Sequence, residues 1–159
     1  MKKLILWISS VVMVAGLVGF TQFAGRAQSD SKDVSSIEGV WRTVVTPRIC
    51  ATGNPLPITF PGILMFEKGG TATGTSTAVT SAYGLWNRDP GEHKYSFALL
   101  SFRYDPTGTL LGTRRIDQAV VLGEDGDSFV SSGTFEDRDL AGNVAASGCS
   151  TSTGSRFQK

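Results

Sequence analysis

The chain has 159 residues, with 15 basic and 14 acidic side chains and a formal net charge of +1. No basic stripe interleaved with aromatics runs through it, which argues against nucleic acid as a partner. A single histidine and two cysteines are too few ligands for a zinc site, and no other metal or cofactor is implied.

The chain opens with Lys2 and Lys3, an apolar run from Leu4 to Phe20, and the small-residue pattern Gly25, Arg26, Ala27. This order predicts a secretory signal peptide over 1–27, removed after Ala27. Retained, the same run would be a membrane anchor, being slightly short of the roughly 20 residues that span a bilayer. No cysteine follows it to carry a lipid. Cleavage removes Lys2, Lys3 and Arg26, which takes the 15 basic residues to 12 against 14 acidic ones and the formal charge to −2. The product is expected to be secreted or periplasmic, free of the membrane and monomeric. It would comprise a polar tether, "QSDSKDVSS" at 28–36, and one domain at 37–159.

Beyond the tether, short runs rich in Val, Ile, Thr, Phe and Tyr alternate with turn signals, and none keeps helical spacing. The breakers are "EKGG" from Glu67, "RDPGE" from Arg88, "YDPTG" from Tyr104, "GEDGD" from Gly123 and "DLAGN" from Asp139. They supply the Asp, Pro, Gly and Asn that tight turns need. Between them lie eight predicted strands, at about 38–49, 58–67, 71–79, 82–89, 93–104, 109–122, 127–137 and 143–157. The fold class is therefore all-β. Nearly every link is hairpin-short, which makes an antiparallel meander, and eight strands suffice to close an up-and-down barrel. A two-sheet sandwich is the rival.

Cys50 and Cys149 both lie in the exported part, where thiols are oxidised. A bridge between them would close a loop of about 100 residues and contribute roughly 4 to 5 kcal/mol in the chain-entropy model. If the first and last strands pair with Cys50 opposite Cys149, Thr43 faces Arg156, Arg42 faces Phe157, and Trp41 lies diagonal to Arg156. Alternation then puts Trp41, Thr43, Val45, Ser152, Gly154 and Arg156 inside and the cysteines outside. Gly39, Val40 and Trp41 form a Gly-x-Trp, and Arg156 in "TGSRF" can lay its guanidinium over the indole. This pairing resembles the lipocalins and the wider calycins, in which a Gly-x-Trp on the first strand meets an arginine from the end of the barrel. The resemblance implies a lipocalin-like barrel with Gly39, Trp41 and Arg156 in structural roles. Unlike typical lipocalins, the sequence has no helix after the last strand.

The sixth predicted strand, "TLLGTRRIDQAVVL", puts Leu110, Gly112, Arg114, Ile116, Gln118, Val120 and Leu122 on one face and Thr113, Arg115 and Asp117 on the other. The first face is more apolar and should look inward. An inward Arg114 needs a carboxylate partner or a wet, ligand-accepting lumen. A β-bulge or slipped register would instead turn it to solvent. Phe129, Ser131, Gly133 and Phe135 share a face of the seventh strand, and Gly84 with Trp86 makes a second Gly-x-Trp. Trp86, Arg114, Gln118, Phe129 and Phe135 are thus candidate lining for a small apolar or amphipathic molecule. The same side chains could otherwise fill a solid barrel. "CATGNPLPI", 50–58, is expected to form a semi-rigid flap at one mouth.

His93 is expected to be an exposed turn residue. "GEDGD" lacks the spacing of a calcium loop, "GGTATG" has no helix after it, and "SDSK" lies in the tether. No Ser-His-Asp, Cys-His or paired-carboxylate arrangement is present, so no catalytic residue is assigned. The leading reading is a binding barrel. A second is an inhibitor or interaction module that engages a secreted protein through the tether. The third is an isomerase similar in plan to the allene oxide cyclases.

Overall fold

The computed structural model describes residues 36–158. The predicted signal peptide, and the tether up to residue 35, lie outside the described residues.

Eight strands form: β1 (Gly39–Arg48), β2 (Phe60–Phe66), β3 (Thr71–Ser76), β4 (Val79–Arg88), β5 (Lys94–Tyr104), β6 (Leu110–Leu122), β7 (Ser128–Arg138) and β8 (Val144–Arg156). Each pairs antiparallel with its neighbours, and β1 also pairs with β8, closing the barrel. That closure excludes the sandwich. Period-two patterning drives it: on β5, Tyr95, Phe97, Leu99 and Ser101 are buried while Leu100 and Phe102 are exposed. Tyr83 and Leu85 on β4 extend this outward apolar band, with Tyr83 directly opposite Leu100.

Two of the hairpins use one device. Asp105 Oδ1 accepts from the N–H groups of Thr107 (2.8 Å) and Thr109 (2.9 Å), and Asp139 Oδ1 from those of Ala141 (2.9 Å) and Asn143 (2.8 Å). Gly108 and Gly142 supply the left-handed residue, with φ 87° and 85°. The β3–β4 turn departs from expectation. It falls at Thr77 and Ala78, inside the strand predicted over 71–79, so β4 begins at Val79. No glycine, proline or asparagine marks it. Instead the Ser76 hydroxyl accepts from the N–H groups of Ala78 and Val79.

The seam register is displaced by two residues from the one expected. Trp41 stands opposite Arg156 rather than diagonal to it, Thr43 opposite Gly154, and Arg48 opposite Cys149. The cause is that Cys50 lies beyond β1, in a turn where the Ile49 carbonyl accepts from Thr52 and Gly53. The Cys50–Cys149 disulfide therefore crosses the end of the ladder obliquely, with Cα atoms 5.2 Å apart. Because the displacement is even, the inner face is preserved. Trp41, Thr43, Ser152 and Gly154 are buried, and Cys50 is exposed.

One end of the barrel is solid. Trp41 packs on Phe129 with ring centroids 5.0 Å apart, and Phe66 packs on Phe97 at 5.6 Å. Ile37, Val120 and Leu122 complete the plug, and the Trp41 indole donates to the Ile37 carbonyl (2.8 Å). Over the indole, at 4.3 Å, lies the Arg156 guanidinium. It donates to the carbonyls of Glu38 (2.6 Å), Ser36 (2.9 Å) and Gly126 (2.9 and 2.7 Å), and pairs with Asp127 (3.2 Å). Gly39 has φ 125°, and a Cβ there would stand 2.8 Å from Arg156 Nη1. The glycine of Gly-x-Trp thus supplies both the backbone conformation and the space that the guanidinium takes.

Candidate ligand cavity

Toward the other end the barrel is open. β1 runs from the plug to the mouth, so the β1–β2, β3–β4, β5–β6 and β7–β8 connections surround the opening. Behind them is a mostly apolar cavity of about 380 Å³, within the range of small-ligand sites. One wall is aliphatic and aromatic: Leu64, Val79, Ala82, Phe97, Leu99 and Ile116. The other carries Thr43, Gln118, Ser150 and Ser152. At the rim Leu56, Ile58 and Phe60 come from the predicted flap and the start of β2. The flap is held by backbone bonds from Leu56 to Pro47 (2.9 Å) and from Ile49 to Asn54 (3.0 Å), beside the disulfide.

An ionic cluster meets the cavity at Arg114, the charged residue in its lining. Arg114 faces inward and forks onto Asp137, with Nε–Oδ1 at 2.6 Å and Nη2–Oδ2 at 2.8 Å. Arg103 Nε approaches the same carboxylate at 3.1 Å. The Asp137 side chain is only 4% exposed, against 23% for Arg114 and 26% for Arg103. One buried carboxylate is therefore shared by two guanidiniums, a local excess of one positive charge. Arg114 also lies 4.8 Å over the Phe135 ring, which fixes its planar head. Ser101, directly opposite Arg114 on β5, is buried with no hydrogen-bond partner for its hydroxyl. An unpartnered donor beside surplus positive charge is chemistry suited to an anion.

Deeper along β6, the Gln118 amide reaches across β7 at Gly133, where no side chain intervenes, and donates to Ser150 on β8 (3.1 Å). Its carbonyl oxygen accepts from Ser131 (3.0 Å), and Ser131 also bonds the Ser152 hydroxyl.

Arg114, Gln118 and Phe135 line this cavity. Trp86 and Phe129 do not. Phe129 belongs to the plug, where its ring lies on Gly154, and Trp86 packs on Phe66 (6.1 Å) and Tyr95 (6.0 Å) while its indole donates to the Glu67 carbonyl (2.8 Å). Facing inward was not enough, because the strands are long and inward positions near the closed end meet aromatics from the far wall. Asp137, Arg103 and Ser101 were missed as partners of Arg114. Strand parity carried the signal: Asp137 is two residues beyond Phe135, and Ser101 and Arg103 continue the face of Phe97 and Leu99.

Outside, Arg115 bonds Asp117 and Arg138 bonds Glu136. The Arg115 guanidinium holds the Asp117 carboxyl below the usual carboxylate range. His93 is half-buried rather than exposed, has φ 57°, and leaves Nδ1 without a partner. Among the described residues no group of three or more His, Cys, Asp or Glu side chains is arranged to hold a metal. No protein-family model and no curated protein matches the sequence.

Proposed function

We propose that this protein is an exported, lipocalin-like carrier that takes a small, partly apolar molecule bearing one anionic group into the barrel. The observation that carries the reading is an apolar cavity of about 380 Å³ with Arg114 on its wall, a guanidinium that shares one buried carboxylate, Asp137, with Arg103. The apolar part of the ligand would lie on Leu64, Phe97, Leu99 and Ile116. Its charged group would meet Arg114, whose carboxylate partner Asp137 is shared with Arg103. The disulfide is consistent with an oxidising compartment, and the Gly-x-Trp and arginine pairing at the plug supports the calycin assignment.

The test uses anilinonaphthalene sulfonate, an apolar anion that fluoresces when shielded from water. Saturable binding at one site is expected, with affinity at least tenfold weaker in Ala82→Trp, which fills the cavity from β4. Binding that is absent, or unchanged by Ala82→Trp in a folded protein, would overturn the proposal.

A further inference from the structure

The polar contacts on the hydroxyl wall have a direction. Ser131 has one proton, and it goes to the Gln118 carbonyl oxygen. The bond between Ser131 and Ser152 must then be donated by Ser152. Gln118 in turn donates to Ser150. The chain of donors runs Ser152, Ser131, Gln118, Ser150, and the Ser150 proton has no acceptor. Turning the Gln118 amide over reverses the chain, and the free proton becomes that of Ser152. In either orientation one serine hydroxyl on β8 and one amide N–H of Gln118 remain uncommitted, and all three residues line the cavity. Each bond in such a chain polarises the next, which strengthens the terminal donor.

Building on the carrier reading, we infer that the ligand carries a second oxygen, an acceptor such as a carbonyl or ether, held by this surplus of donors. In the strand register Ser150 and Gln118 share a level, as do Arg114, Asp137 and Ala146. The two levels are four residues apart, about 13 Å along the strands. The intervening wall is apolar, formed by Ile116 and Phe135. The ligand class is therefore an oxygenated amphiphilic acid, with its anionic group at Arg114 and an uncharged oxygen separated from it by a hydrocarbon stretch.

The test compares dodecanoic acid with a series of keto-dodecanoic acids in which the carbonyl moves along the chain, each measured by displacement of anilinonaphthalene sulfonate. One carbonyl position remote from the carboxylate should bind about tenfold tighter than dodecanoic acid, as a hydrogen bond to a buried donor allows. The advantage should vanish when the network is made apolar by Gln118→Leu, Ser131→Ala, Ser150→Ala and Ser152→Ala together, while dodecanoic acid binds no more weakly. Dodecanoic acid binding with no preference for any keto position would overturn this inference and leave the carrier reading intact. So would a preference that survives in the apolar variant. Failure of every acid and of the dye to bind would overturn both. Because the wild-type comparison decides the matter alone, a variant that does not fold leaves the test in place.

Discussion

Replacing Arg156 by alanine removes one side chain and strands several others. The Gly126 carbonyl is buried and receives two of the guanidinium hydrogen bonds. Hydrogen bonds to a charged group are worth about 1.5 to 3 kcal/mol each, and water can replace only part of the pair at Gly126. The carbonyls of Ser36 and Glu38 belong to half-buried residues and lose less, about 1 kcal/mol together, and the lost contact with the Trp41 ring adds about 1 kcal/mol. The expected destabilisation is about 3 to 5 kcal/mol. At about 4 °C per kcal/mol for a domain of this size, Tm should fall by about 12 to 20 °C. Lysine keeps the charge but cannot fork onto three carbonyls, so Arg156→Lys should recover less than half of the loss. Denaturant unfolding followed by tryptophan fluorescence reads both variants. An Arg156→Ala protein within about 1 kcal/mol of the parent would show that the guanidinium merely covers the plug, and the reasoning would fail.

Three further outcomes follow from the same contacts. Removing the bridge with Cys50→Ala and Cys149→Ala should lower stability by roughly 4 kcal/mol through the loop it closes, and a loss under about 1 kcal/mol in urea titrations would contradict this. Three turn carboxylates are held below their ordinary range: Asp105 by the Thr107 hydroxyl and the Thr109 N–H, Asp125 by the Asp127 N–H and the Ser128 hydroxyl, and Asp139 by the Asn143 side chain and N–H. Their contribution is complete above the unfolded carboxylate value of about 3.9 and is lost as pH falls through the lower folded values, so Asp105→Asn with Asp139→Asn should flatten the acid limb of stability against pH; an unchanged limb would refute the assignment. At Gly154, where an added Cβ would run into the Phe129 ring, alanine should cost about 1 to 3 kcal/mol in thermal melts, and a neutral effect would mean that the plug can yield.

Much of the architecture is legible because a strand's period is two and its turns have their own chemistry. Inward Trp41, Arg114 and Gln118 follow from parity, and Asp105 with Gly108 or Asp139 with Gly142 declares a hairpin. What parity cannot say is how far down the barrel a residue lies. Phe129 and Phe135 share a face of β7, yet one ring packs on Trp41 in the plug and the other stands under Arg114 at the cavity. That difference is set by the stagger of all eight strands, which no single strand encodes. The seam register departs from expectation for a related reason: Cys50 is not a ladder partner of Cys149 but sits in the turn beyond β1. The β3–β4 turn was hidden because a serine hydroxyl did work normally signalled by glycine or asparagine.

The disulfide also determines how the barrel would carry mechanical load. Ser36 and Gln158 both lie at the closed end, where the Phe157 N–H donates to the Val40 carbonyl (2.8 Å). Tension applied to the two ends would therefore peel β1 from β8 rather than shear them, and the Arg156 contacts to Ser36 and Glu38 would be the first to bear it. Peeling would stop at Cys50 and Cys149, whose sequence separation of 99 would never be extended. Under oxidising conditions β2 through β7 are bypassed by any force transmitted through the ends of the domain, whereas the cavity wall that carries Thr43, Ser150 and Ser152 lies in its path.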